Sequence, residues 1–218
     1  MLANKPFILG LTGGIGCGKS MAAAWLKGLG AAHVDADAIS RELTAPGGEA
    51  LPAIRDRFGD GVFNADGSLD RAALGQIVFE SAAHRRALEG IIHPLVQRRV
   101  LSEIQEAGER GERVVVLDVP LLFETGMDVL CDETWAVTAG AETQLIRVMS
   151  RGLTAEQAQA RIDSQMSAEE RSARATRMIN TDRSIDRTQS ELTALYQQLL
   201  KRLDLIPGGT NGKRKKDG

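Results

Sequence analysis

A glycine-rich stretch near the N-terminus, GLTGGIGCGKS at residues 10–20, narrows the folds open to this chain. From Gly13 to Ser20 it spells G-x-x-x-x-G-K-[ST], the loop that wraps a phosphate between a strand and a helix. Its glycines keep side chains away from an anion that main-chain N–H groups must approach, and they tolerate positive φ. A helix starting near Lys19 aims its N-terminal N–H groups and the positive end of its dipole at the same place. Lys19 is the residue that reaches β- and γ-phosphates, and the Ser20 hydroxyl is the group that meets Mg²⁺. The apolar run at 7–9 supplies the strand, and Met21-Ala22-Ala23-Ala24-Trp25-Leu26 supplies the helix. Gly13, Gly14, Ile15, Gly16, Cys17, Gly18, Lys19 and Ser20 are therefore the candidate nucleotide ligands. The motif alone leaves kinase, GTPase, ATPase and nucleotide sensor open.

The rest of the chain alternates short apolar runs with helical patterns, which indicates an α/β fold with a parallel sheet. Strands are expected at 7–12, 31–34, 113–118, 134–137 and 178–180. The second ends in Asp35-Ala36-Asp37 and the third in Asp118. Ligands of open α/β sheets collect at the carboxyl ends of strands. One of Asp35 and Asp37 is expected to face a substrate and the other to cap a helix over 38–43. A hydrophobic strand ending in Asp118 fits a carboxylate of the Mg²⁺ shell, or alternatively a cap for the next turn.

Between the second and third strands, residues 50–110 read as almost wholly helical. Helices are expected over 50–58, over 70–79 behind an Asp70 cap, and over 81–92 behind Ser81. His93-Pro94 then predicts a kink, or a new helix running from Pro94 to about 107. A βαβ crossover needs only about a dozen residues, so this insertion reads as the wall of a second substrate site. His93 is either a ligand of that substrate or a helix-end histidine. Further on, Arg147, Arg151, Arg161, Arg171, Arg174 and Arg177 lie on or between helices, and Thr154 and Ser167 open capping-box spellings. This pair of helices reads as a lid over a triphosphate, with one or two functional arginines, or as a solvated hairpin. A closing helix is expected over 186–203, and the basic tail at 208–218 is expected to be disordered.

Composition limits the function classes. The formal net charge of −2 gives no case for nucleic-acid binding, and no stretch reaches membrane-spanning length. Cys17 and Cys131 are too few for a disulfide framework and suit a reducing compartment. The N-terminus lacks a secretory pattern, so a cytoplasmic protein is expected. Cys17 sits before a helix N-terminus and two residues from Lys19. That placement predicts a lowered thiol pKa and alkylation through Cys17, with Mg-ATP protecting.

A Ras-type GTPase is excluded by the residues after Asp118, Val-Pro-Leu, and by Asn180-Thr181-Asp182-Arg183, which does not spell a guanine-reading motif. A small-molecule kinase fits better. Together, residues 11–20, Asp35-Ala36-Asp37 with Arg41, His93-Pro94, Pro120-Leu121-Leu122-Phe123-Glu124, Glu142-Thr143-Gln144-Leu145 with Arg147, and Arg161-Ile162 with Gln165 resemble the dephospho-coenzyme A kinase family. The resemblance covers about residues 7–203. It implies ATP-dependent phosphorylation of the ribose 3′-hydroxyl of dephospho-CoA, with ATP and Mg²⁺ as cofactors and a monomer or weak homo-oligomer. It implies a P-loop kinase-like three-layer sandwich: a parallel five-stranded sheet, a helical acceptor-binding insertion and a helical lid. The nucleotide core would take 1–36, 112–146 and 178–207, the insertion 37–111 and the lid 147–177. Asp35 is implied as the base and Lys19, Arg147 and Arg151 as catalytic partners. Asp37, Arg41, His93 and Arg161 would meet the acceptor; Ser20 and Asp118 would meet the metal. Two departures stand out: Cys17 occupies a position where serine is common, and Arg183 replaces a glycine near the expected adenine contacts. The alternatives are another nucleoside monophosphate or small-molecule kinase, and a non-enzymatic ATP sensor.

Overall fold

The computed structural model describes residues 5–205, so the tail at 208–218 lies outside the described residues. The fold is α/β on five parallel strands. Backbone packing divides the described residues into two units, 5–12 with 32–134 and 13–31 with 135–205.

In the first unit, β1 (Phe7–Gly13), β2 (Ala32–Asp35) and β3 (Val114–Asp118) pair in the order β2-β3-β1. The register sets Leu11 opposite Asp118 and Asp118 opposite Asp35. Every residue of β3 is buried, the mark of a parallel strand covered on both faces. The insertion holds α2 (Ala36–Leu43), α3 (Leu51–Phe58), α4 (Arg71–Glu80) and α5 (Ala82–Glu109), with α2, α3 and α4 all packing on α5. Asp70 caps α4 and Ser81 caps α5, as their positions before apolar-periodic runs predict.

Of the two readings at His93-Pro94, the new helix starting at Pro94 is overturned. Helix α5 runs unbroken through Pro94. A proline in a helix interior removes one hydrogen bond and costs about 3 kcal/mol. Val96, Val100 and Ile104 lie four residues apart on one face beyond it and are all buried. Their burial at about 1.5–3 kcal/mol each outweighs the proline defect.

In the second unit the loop after β1 leads into α1 (Lys19–Gly28). Strand β4 (Glu133–Thr138) pairs in parallel with β5 (Arg177–Asn180). Between them lie α6 (Ala141–Met149), α7 (Ala155–Asp163) and α8 (Ala168–Arg174); α9 (Ile185–Leu205) closes the unit against α1. Trp135 is fully buried, as are Ile179 and Leu192. Helices α7 and α8 carry the complete capping boxes that their spelling predicts, Thr154 with Gln157 and Ser167 with Glu170. Among the described residues, no helix is long and apolar enough to cross a membrane.

Candidate active site

The loop has the shape a phosphate requires. Gly16 and Gly18 adopt φ of 77° and 89°, which only glycine holds without strain. Gly13 has ordinary backbone angles and is needed for a different reason: a Cβ there would lie 2.7 Å from the Val137 carbonyl oxygen. No side chain caps the N-terminus of α1, leaving the cap to the Gly18 backbone in the left-handed region. Ser20 is exposed in the first turn and Lys19 half-buried beside it. This cradle fits a polyphosphate.

Side chains from later in the chain hold the loop. Gln144 on α6 donates to the Ile15 carbonyl at 2.7 Å, and Gln165, between α7 and α8, accepts from the Ile15 N–H at 2.7 Å. Thr181, just after β5, donates through its hydroxyl to the Cys17 carbonyl at 2.8 Å. Arg147 donates to the Thr181 hydroxyl at 2.7 Å and to the Thr181 carbonyl at 2.8 Å. It also reaches the Gly16 carbonyl at 3.4 Å. Arg147, expected as a catalytic arginine, is thus fastened to the loop's support. Arg151 and Arg161 are exposed, while Arg171 on α8 is buried and donates to the Met166 carbonyl at 2.9 Å. Arg183, at the departure from the family pattern, pairs with Glu191 on α9 at 3.1 Å.

The expected acidic shift of Cys17 is reversed. Burial pushes the thiol above its ordinary value, against the lowering influences of the Ala139 backbone, Arg171, the Gly14 backbone and Arg147. A thiolate must be solvated or paired to be favoured, and Cys17 is only 3% exposed. Local sequence shows the helix terminus and the lysine but not the depth of burial. Burial also pushes Cys131 up, to about 12, helped by Asp128 and Asp132.

The first unit holds the remaining candidates. Asp35 ends β2 and caps α2, accepting the Ala38 N–H at 2.9 Å through Oδ1. Its Oδ2 lies 3.9 Å from Arg41 in the last turn of α2. The capping role therefore belongs to Asp35 and not to Asp37, and it occupies one oxygen of the carboxylate. Asp37 is exposed in the first turn of α2. It lines a cavity of ≈ 200 Å³ with Ala36, Ser40, His93, Gln97 and Pro120. Asp118 is buried, with its Oδ2 3.3 Å from His33 Nε2. His33 had no motif to mark it. It lies two residues before Asp35, and only the β2–β3 register brings it to Asp118. Thr181 was missed for the same reason, since its partners lie 34 and 164 residues away. Among the described residues, no three His, Cys, Asp or Glu side chains gather as metal ligands.

A phosphate cradle on a parallel α/β sheet, with a helical insertion and an arginine-bearing helical pair, defines a P-loop kinase. A family model described as dephospho-CoA kinase matches residues 7–187, and the chain belongs to that family. A dephospho-CoA kinase of Symbiobacterium thermophilum is 47% identical over 191 residues, covering 87% of this chain and 80% of that protein. One of Moorella thermoacetica is 43% identical over 207 residues, covering 93% and 98%. A crystal structure from Thermus thermophilus superposes with a TM-score of 0.78 at 34% identity, covering 90% of this chain and 99% of that one. The dephospho-CoA kinase of Campylobacter jejuni, at 24% identity and a TM-score of 0.63, shares the fold; it covers 89% of this chain and 98% of that one.

Proposed function

We propose that this kinase transfers the γ-phosphoryl group of ATP to the ribose 3′-hydroxyl of dephospho-CoA, giving coenzyme A and ADP. The observation that carries the reading is Asp35. It ends a strand, its head is fixed by the Ala38 N–H, and the two residues that follow it line a cavity. Residues 37–111 take the acceptor, with Asp37, Arg41 and His93 as its contacts. Residues 147–177 act as the lid. The loop and the remaining core take the nucleotide.

The new bond joins the 3′-oxygen to Pγ; the bond from Pγ to the bridging β,γ-oxygen breaks, and ADP leaves. Asp35 accepts a hydrogen bond from the 3′-hydroxyl and takes its proton late. A carboxylate is a weak base toward an alcohol, so orientation is its larger contribution. Lys19 and the loop amides bear the charge on the β- and γ-phosphates, Arg151 approaches them as the lid closes, and Arg161 meets the acceptor. Arg147 contributes by holding the loop in shape through Thr181. The Ser20 hydroxyl and the Asp118 carboxylate would hold Mg²⁺, which would supply neutralisation of phosphate charge. The partners are small molecules, and the protein acts as a monomer or weak homo-oligomer. Its place is the cytoplasm, where reducing conditions keep Cys17 and Cys131 as thiols.

The test is ADP release measured with ATP and a panel of acceptors: dephospho-CoA, adenosine 5′-monophosphate, other nucleoside monophosphates and shikimate. Turnover is expected to be fastest with dephospho-CoA, and the product is expected to carry one added phosphoryl group at the 3′-position. Faster turnover of another acceptor would replace this reading with a different small-molecule kinase. ATP binding without transfer to any acceptor would make the protein a sensor.

A further inference from the structure

Among the arginines of the described residues only Arg171 is buried, at 5% exposed. A guanidinium gives up its hydration at a cost, so a buried one stands where its charge is used. Arg171 stands against the phosphate loop. A Cβ built on Gly14 would lie 3.5 Å from Arg171 Nη1, 3.4 Å from Cys17 Sγ and 3.0 Å from Gln144 Nε2. Gly14 is not among the glycines with positive φ, so its missing side chain serves close approach instead. Through that gap the guanidinium reaches the loop. Its charge is felt at Cys17: burial pushes the thiol up, and Arg171 is one of the influences opposing that rise.

The arginine is also held in place. Its Nη2 donates to the Met166 carbonyl at 2.9 Å. Gln165, the residue before Met166, accepts the Ile15 N–H of the loop. The capping box of Ser167 and Glu170 fixes the first turn of α8, and the Arg171 N–H donates to the Ser167 carbonyl at 3.1 Å. The two acids of that turn, Glu169 and Glu170, are exposed. A fixed cation beside a nest of N–H groups adds positive potential that needs no rearrangement when an anion arrives. Arg151 and Arg161 are exposed, and water weakens the field of each.

We propose that Arg171 is a positioning residue of the nucleotide site: its buried guanidinium acts through the phosphate loop and strengthens polyphosphate binding in step with the charge of the polyphosphate. It touches the loop and not the substrate. The inference rests on the nucleotide half of the reading above and is independent of the acceptor.

Charge and bracing can be separated by substitution. Arg171→Met keeps a long flexible side chain and removes the charge; Arg171→Lys keeps the charge. The full-length wild type and both variants are titrated calorimetrically with ADP and with ATP, in the presence of Mg²⁺ and without acceptor. Thermal unfolding is followed in parallel. Arg171→Met is expected to bind ATP about tenfold more weakly and ADP about threefold more weakly, since the attraction grows with ligand charge. Arg171→Lys is expected to bind both within about twofold of the wild type. If Arg171→Met unfolds early, Arg171→Gln takes its place as the neutral variant. The inference is overturned if the neutral variant binds both nucleotides as the wild type does. It is overturned equally if both affinities fall by the same factor, the mark of a brace, or if Arg171→Lys binds as weakly as the neutral variant. A wild type that binds neither nucleotide overturns the inference and the nucleotide reading together. One that binds both but does not phosphorylate dephospho-CoA sinks the acceptor reading, and the comparison of variants still decides the role of Arg171.

Discussion

Thr181 holds Arg147 at two points, hydroxyl and carbonyl, at 2.7 and 2.8 Å, while its hydroxyl proton goes to the Cys17 carbonyl. A residue 3% exposed thus ties an arginine to the phosphate loop. Thr181→Val preserves the shape and removes the hydroxyl. The buried groups left behind should cost about 1–3 kcal/mol of stability. Urea unfolding should show that loss, and steady-state kinetics should show a raised KM for ATP. Unchanged stability together with an unchanged KM would mean that the loop keeps its shape without Thr181.

Asp35→Asn separates the two roles of one carboxylate. Asparagine caps a helix about as well as aspartate, so α2 should keep its start. The proton acceptor is lost, and turnover should fall by about two orders of magnitude or more. ATP affinity should stay near that of the parent. Near-normal turnover in a pure preparation would remove Asp35 from the chemistry.

The segment at 147–177 touches the loop through Gln165 and Ile15. Gln165→Ala removes that tie, so trypsin should cut the 147–177 segment faster in the absence of ligands. ATP with acceptor should slow cleavage of the wild type, as closure does in other kinases. Identical cleavage rates with and without ligands would indicate a rigid surface hairpin.

Both cysteines should react slowly with alkylating reagents at neutral pH, because burial pushes both thiols up. Peptide mapping of the native and urea-unfolded protein checks this; rapid native labelling of Cys17 would contradict its burial. A folded-state pKa above the unfolded one adds stability at low pH, and that stability is lost as pH rises. For Cys131 the loss should run from the ordinary value of 9.0 to about 12. Cys131→Ala should flatten the fall of unfolding free energy across that window.

The motifs that carry chemistry in short range were legible in the chain itself. The phosphate loop, the strand ending at Asp35, the caps at Asp70 and Ser81 and both capping boxes follow from neighbouring residues, because each depends on hydrogen bonds spanning a few positions. The reading of Pro94 as a helix start failed because a local penalty was read without the burial that offsets it. Cys17 misled for a related reason: its neighbours in sequence favour a thiolate, while its surroundings in space exclude water.

Family membership rests on linear patterns and was fixed by them; so was the residue set from which the site is drawn. What that set does was decided by packing. The strand register sets His33 against Asp118, the return of the chain after β5 sets Thr181 against Cys17 and Arg147, and the packing of α2 on α5 brings Asp37 and His93 to one cavity. These relationships join residues up to 164 positions apart. No local propensity encodes such distances, because the partners meet only once burial of the strands and helices has closed the intervening chain.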